Sequence, residues 1–211
     1  MVGNQPAYVV PKVRLRQRLS NWFKQDLGGG LFNLEHAHLD QALSNLFGYH
    51  ILQLWNLSNI SLLSNSRISH KVILAFYRDS DTVTITTLVS DSESFAIESE
   101  SMDVVVLPHV LEFESTPHQI LRETNRVLIG EGHLIIIGFN PWSFWGVWRL
   151  FLAWRDMPPW NGRFIGISRI KDWLSLLDFE LIETENFYFR PPIKSKRLMK
   201  HLLFLEKAGR Y

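Results

Sequence analysis

Not one of the 211 residues is cysteine, which excludes disulfides, thiolate metal sites and cysteine nucleophiles at once. No sign of charge prevails either: 22 Lys and Arg stand against 21 Asp and Glu, a formal net charge of +1. No nucleic acid or strongly acidic partner is therefore expected. Nor does any apolar run reach the ~20 residues that a membrane-spanning helix needs. The nearest, "NPWSFWGVWRLFLAWRDMPPW", is broken by Arg149 and holds five of the eight tryptophans. The N-terminal "MVGNQPAYVVPKVRLRQRL" lacks the apolar centre of a secretory signal, so a cytoplasmic address is expected. Internal repeats and low-complexity segments are missing too, and the acid- and serine-rich "SDSESFAIESESMD" reads as a solvated loop. Glycine is scarce in one telling place. The stretch "HILQLWNLSN" leaves a buried strand through Trp55, Asn56, Leu57, Ser58 and Asn59 with no glycine in the turn.

What is present suits a globular domain: 46% hydrophobic and 20% charged residues exclude general disorder. The length suits one structural domain with a large core. It comprises an N-terminal helical segment, 1–47, packed on an α/β unit, 48–211. Residues from Leu15 to about Phe47 read as helical, with a break at Gly28, Gly29 and Gly30; Leu39, Leu43 and Leu46 share a face in the second part. Six short apolar runs follow: "HILQLW", "KVILAFY", "TVTITTLV", "DVVVLPHVL", "HLIIIGF" and "FELIETENFYF". Most are rich in Val, Ile and Leu with little alternation, the pattern of strands buried on both faces, which implies a parallel sheet. In "TPHQILRETNRVLIGEG", Thr116 can cap a helix and Pro117 fits its first turn. Ile120, Leu121, Val127 and Leu128 line its apolar face, and Gly130 and Gly132 are expected to stop it. With "HLIIIGF" next, strand, helix and strand make a right-handed crossover. "SRIKDWLSLLDF" reads as a second helix leading into a strand "ELIETENFYF". The architecture is α/β with a mostly parallel sheet.

The stretch "SMDVVVLPHVLEFESTPHQILRETNRVLIGEGHLIIIGFNPWSFWG" resembles the second half of a class I S-adenosylmethionine-dependent methyltransferase of the type 11 methyltransferase-domain kind. Asp103 opens the fourth strand of that pattern, "RETNRVLIGEG" resembles its Glu-x-x-Arg-Val-Leu-x-x-Gly-Gly element, and "GFNPWSFWG" leads to the acceptor side. The likeness extends from about Phe47 to Phe189. It implies a Rossmann-like sheet and S-adenosyl-L-methionine as cofactor. It also places "HILQLWNLSN" on the family's acidic-x-Gly-x-Gly-x-Gly loop, with Gln53 in the acidic place and Trp55, Leu57 and Asn59 in the glycine places. At the end of "KVILAFYRD", where the family holds the ribose hydroxyls with an acid, this chain has Ala75 and Phe76, and Asp79 comes late. Asp91, twelve residues before Asp103, resembles the carboxylate that accepts from the adenine amino group. The resemblance thus implies a cofactor set of Gln53, Trp55, Asn56, Leu57, Asp91, Ser92 and Leu107. Bulk in place of glycine puts side chains where the ligand would lie, and the missing ribose carboxylate removes hydrogen bonds worth roughly 1.5–3 kcal/mol each.

His109, just past the fourth strand, is where open α/β sheets place ligands. It is the candidate general base, against a reading as a hydrogen-bonded strand-end histidine. The candidate acceptor residues are Asn140, Trp142 and Trp145, in a region that either lines an apolar pocket or touches a membrane surface for a small-molecule or lipid-like acceptor, or else covers the sheet. His36 and His38, two apart on a helix, make a poor metal pair, and no metal is expected. Glu123 and Arg126 read as a structural ion pair or tether. Arg149, Arg155, Lys194, Lys196, Arg197 and Lys200 are compatible with contact to an acidic surface but are more often just solvated in such a pattern. "KSKRLMKHLLFLEKAGRY" reads as a helix that leaves out the final antiparallel strand of such sheets. Two functions follow: a methyltransferase with an altered cofactor loop, or a catalytically inactive binding or regulatory protein of the same fold. A nicotinamide dehydrogenase ranks third, because its phosphate turn needs the same absent glycines.

Overall fold

A computed structural model describes residues 9–55, 62–76, 87–155 and 157–188 of the chain. Helices α1 (Val9–Phe23) and α2 (Asp26–Ser44) come first. The break between them lies at Lys24 and Gln25 and not at the three glycines, which run inside the first turns of α2. The correction has a steric cause. A Cβ on Gly28 would stand 2.2 Å from the Trp22 carbonyl oxygen, so this glycine permits the close contact of the two helices instead of ending one. Leu19, Trp22 and Phe23 of α1 and Leu31, Phe32, Leu39 and Leu43 of α2 join the same buried cluster as the sheet.

The sheet contains β1 (His50–Leu54), β2 (His70–Ala75), β3 (Thr87–Val89), β4 (Met102–Pro108) and β5 (Leu128–Ile137). Their order is β3-β2-β1-β4-β5, and every pairing is parallel. The runs Ile51–Leu54 and Val104–Leu107 are buried on both faces, as expected of central strands covered by helices. Between and after the strands come α3 (Val110–Phe113), α4 (Pro117–Val127), α5 (Phe144–Leu152), a 3-10 turn (Ala153–Arg155) and α6 (Ile167–Ser175).

Three expected boundaries move. Helix α4 stops at Val127, ahead of the glycines, and β5 starts at once; Gly130 and Gly132 then fall in an irregularity where the register with β4 jumps from Met102↔Leu128 to Val104↔His133. Val110 and Leu111, expected at the end of a strand, form the one-turn α3. The expected strand "ELIETENFYF" is not a strand over 180–188. Its aromatic residues turn inward instead: Phe187 stacks on His38 with ring centroids 4.5 Å apart, and Tyr188 meets Trp145 edge-on at 5.7 Å. Of the expected strand "TVTITTLV", Thr87–Val89 is β3 and the rest lies outside the described residues, as do Asp79, Phe189 and the C-terminal stretch with Lys194, Lys196, Arg197 and Lys200. Among the described residues the sheet has no antiparallel strand.

Candidate active site

The strand order reverses direction between β1 and β4, and in open α/β sheets the crevice beyond the carboxyl ends at that point is where ligands bind. Both strands leave it through an unusual residue. Trp55, directly after β1, has φ +66°, and His109, directly after β4, has φ +55°. Left-handed backbone at a non-glycine residue costs about 1–3 kcal/mol and collects at functional sites. Trp55 thus takes, with a side chain, a backbone conformation that favours glycine.

Trp55 continues the ladder by donating its N–H to Leu74 O at 3.0 Å. Its indole is fully buried, inclined on the Phe113 ring at 6.3 Å, with the Arg16 guanidinium of α1 5.3 Å from its centroid. Gln53, in the acidic place of the resembling loop, is also fully buried and donates through Nε2 to Trp55 O at 2.6 Å. Its Oε1 and the Trp55 Nε1 are buried without a hydrogen-bond partner among the described residues. One acceptor and one donor are therefore left over at the crevice, and leaving each unmade costs about 1–3 kcal/mol. Leu107, in β4, is buried opposite Ile136. Asn56 and Leu57 lie outside the described residues.

Asp91 and Ser92 follow β3 in a tight loop. Asp91 Oδ1 accepts from Glu93 N at 3.2 Å, and Ser90 Oγ both donates to Ser94 O at 2.5 Å and accepts from Ala96 N at 2.8 Å. Asp91 itself stays exposed, while Ser92 is buried. The Glu-x-x-Arg pair of α4 fastens the next part of this loop. Glu123 Oε2 accepts from Phe95 N at 2.8 Å, and Arg126 reaches Glu123, Phe95 O, Ile97 O and Ser99 Oγ at 2.8–3.2 Å. The hydrogen bonds from Arg126 and then Phe95 N hold the Glu123 carboxyl below its usual range despite partial burial, and Glu123 in turn raises Arg126. These two residues act as a tether between helix and loop.

His109 is buried, and both of its ring nitrogens are engaged: Nδ1 donates to Glu112 Oε2 at 2.8 Å, and Nε2 to Glu35 Oε1 at 2.9 Å. Glu112 also accepts from the Phe139 backbone N–H at the end of β5, and His109 N donates to Ile137 O at 2.8 Å. Burial alone would push the His109 pKa down, but Glu35 and Glu112 override it and raise it to about 10. Burial raises Glu112, against the opposing pull of His109 and of Phe139 N–H. A cation thus joins α2, α3 and the carboxyl ends of β4 and β5. The sequence reading missed both carboxylates. Glu35 carried a signal, since it stands four residues from Leu31 and four from Leu39 on the buried face of α2, where an acid needs a partner.

Beside this clamp, at the end of β5, a cleft of about 70 Å³ is lined by Gly138, Phe139, Asn140, Ser143 and Trp145 and closed by Glu185–Tyr188. Of the candidate acceptor residues, Asn140 and Trp145 meet there, whereas Trp142 is exposed to solvent. Asn140 Oδ1 accepts from Trp142 N at 2.9 Å. His36 and His38 serve separate partners, Asp40 with Ser64 and Glu185, and no group of three metal-ligating side chains occurs among the described residues.

Residues 47–136 match the family model described as "Methyltransferase domain". Among curated proteins the chain is 35% identical over 153 residues to the Escherichia coli (strain K12) protein YafS, described as uncharacterized; the match covers 72% of this chain and 62% of YafS. Among solved structures it is similar to a SAM-dependent methyltransferase from Thermotoga maritima, with a TM-score of 0.66 at 19% identity over 87% of this chain and 86% of that one. The [4+2]-cyclase SpnF has the same fold at a TM-score of 0.53 and 13% identity, over 70% of this chain and 57% of that one. The fold therefore hosts more than one chemistry, and activity has to come from the site.

Proposed function

We propose that the chain, whose residues 47–136 match a methyltransferase-domain model and whose fold is similar to that of a SAM-dependent methyltransferase, is a class I S-adenosylmethionine-dependent methyltransferase that methylates a small-molecule or lipid-like acceptor, through a cofactor crevice altered at Trp55. The observation that carries this reading is the pair of left-handed residues, Trp55 and His109, at the two strand ends where the sheet reverses. Strain of this kind persists where a site needs it. The donor set fits the cofactor in polarity: Gln53 Oε1 is an unpaired acceptor and Trp55 Nε1 an unpaired donor at the crevice, suited to an ammonium or hydroxyl and to a carboxylate. Asp91, held by the loop that Glu123 and Arg126 fasten, supplies an acceptor for the adenine amino group.

When bound, S-adenosylmethionine supplies a sulfonium-activated methyl group. The chain's own part is to orient and exclude water, and positioning of this kind accounts for most of the rate that such a transfer needs. His109 has no free nitrogen with which to take a proton, so it acts as a positioning residue that locks α2 and the β5 end to the crevice. Asn140, Ser143 and Trp145 present the acceptor from the cleft beyond β5.

Titration with S-adenosylhomocysteine, followed by tryptophan fluorescence, tests the crevice. A saturable change is expected in the native protein. In Trp55→Phe the affinity drops roughly tenfold, because about 1–1.5 kcal/mol of hydrogen bonding is lost with Nε1. Unchanged affinity in that variant would take Trp55 out of the site. One observation favours the second reading, a catalytically inactive binding or regulatory protein: the Trp55 indole is completely buried between Phe113 and Arg16. A native protein with no response at millimolar ligand selects it.

A further inference from the structure

Helix α5 is fixed on one side only. Ser143 caps it through Oγ, which accepts from Gly146 N at 3.3 Å. Trp145 is packed among Phe139, Trp160 and Trp22, with centroids 5.5, 5.4 and 5.8 Å away. At Gly146 a Cβ would lie 1.8 Å from Pro141 O, so the helix start is pressed onto the preceding backbone. These contacts set the rotation of the helix, and they turn an apolar stripe outward. Val147, Leu150, Phe151 and Trp154, at i, i+3, i+4 and i+7, are 49%, 75%, 70% and 77% exposed, and Trp142 beside them is 92% exposed. In a globular protein that spacing normally marks the face that packs on the core. Here it faces away.

The charge on this segment has one sign. From Phe139 through Arg155 the sequence has two arginines and no carboxylate, and Asp156 marks the end of the stretch. Arg149 is held inward, donating through Nε to Gly162 O at 2.7 Å and lying over Phe164, whereas Arg155 lies over the exposed Trp154 ring at 5.2 Å. No helix among the described residues is long and apolar enough to cross a membrane, so this one can only lie along a surface. The side chains protrude instead of lining a groove. A soft boundary that tolerates tryptophan rings and attracts arginine fits them better than a preformed protein pocket.

We propose that the Trp142–Trp154 segment docks the protein on the surface of an anionic phospholipid bilayer, with Leu150, Phe151 and Trp154 inserted at the level of the head groups and Arg155 among the phosphates. The same segment supplies Asn140, Ser143 and Trp145 to the cleft at the end of β5. Docking therefore brings that cleft to the lipid–water boundary, where an amphiphilic acceptor would be met; this last step rests on the methyltransferase reading, whereas the docking rests on the helix face alone.

Co-sedimentation of the full chain with vesicles tests it, using phosphatidylcholine alone and phosphatidylcholine with a minority of phosphatidylglycerol. The native protein should sediment with the anionic vesicles and be released in part by high salt. The double variant Leu150→Glu, Phe151→Glu, which alters only exposed positions and should keep its circular dichroism, should partition at least about tenfold less. Arg155→Ser should lose the preference for anionic over neutral vesicles. The proposal is overturned if the native protein stays in the supernatant, if it sediments equally with uncharged vesicles, or if the double variant binds as well as the native chain. An apolar face that instead forms a saturable complex with a purified protein and ignores vesicles overturns it as well. Response to S-adenosylhomocysteine, measured on the same preparations, separates the two readings: docking without cofactor binding removes the methyltransferase and leaves the surface, and the reverse does the opposite.

Discussion

His109→Leu removes the cation between Glu35 and Glu112 and leaves two buried carboxylates facing an apolar side chain. Breaking a buried ion pair by deleting one partner costs about 3–5 kcal/mol. In a domain of this length each kcal/mol moves the midpoint of thermal unfolding by about 2–4 °C, so a fall in Tm of roughly 6–20 °C is expected by circular dichroism at neutral pH. Two controls identify the cause. Replacing all three residues together by Leu should recover much of the loss, since a buried ionic cluster exchanged whole for apolar groups is often neutral. The pH profile should change as well. The native state binds the His109 proton more tightly than the unfolded chain does, with a pKa of about 10 against an ordinary value of 6.5. Its stabilisation is complete below pH 6.5, fades as pH rises and is gone above about 10. The raised Glu112 acts in the same direction from a lower starting pH. The native protein should therefore lose stability steadily between pH 6.5 and 9, by up to about 1.4 kcal/mol per pH unit, while His109→Leu should lack the His109 part of that slope. A variant within about 2 °C of the native Tm, or identical slopes in the two proteins, would refute the reasoning.

Three further outcomes are expected. Gly28→Ala should destabilise by about 1–3 kcal/mol, because the Trp22 carbonyl cannot yield. Gly29→Ala, whose Cβ would lie 3.4 Å from Phe23 O, should be neutral or stabilising by up to about 1 kcal/mol; paired thermal melts check both. Arg126→Ala should speed hydrogen exchange at the Phe95 and Ala96 amides and cost about 1–2 kcal/mol, a figure reduced for a side chain about one-third exposed. Glu123→Gln should remove stability at neutral pH and little in acid, because the depressed Glu123 pKa stabilises above the ordinary carboxylate range and that gain is lost as pH falls through the native value; acid titrations of both proteins by circular dichroism check it.

The sheet was legible because unbroken Val, Ile and Leu runs such as Val104–Leu107 have few alternatives to a strand covered on both faces. The crossover through Pro117–Val127 was legible for the same local reasons. What failed did so where a local pattern has two physical uses. Glycine can break a helix or admit a neighbour, and Gly28 does the second. Alternating apolar residues make a strand or an aromatic strap, and Glu180–Tyr188 is not a strand. At the candidate site, His109 was marked by its place just past a strand end, and Gln53, Trp55 and Leu107 by the likeness to a family's cofactor set. The clamp was not, because Glu35 and His109 lie 74 residues apart and only the packing of α2 over the sheet brings them together. The outward turn of Leu150 and Phe151 was hidden likewise, since periodicity fixes a stripe but not which way it faces.

The most direct measurement is a calorimetric titration of the native chain with S-adenosylmethionine and S-adenosylhomocysteine. Saturable heat with a Kd near 1 μM, about −8 kcal/mol, together with a ligand-dependent rise in Tm, is the result expected of a methyltransferase whose crevice works despite Trp55. No heat and no thermal shift with millimolar ligand would contradict the account and leave Trp55 as the filling of an inherited pocket.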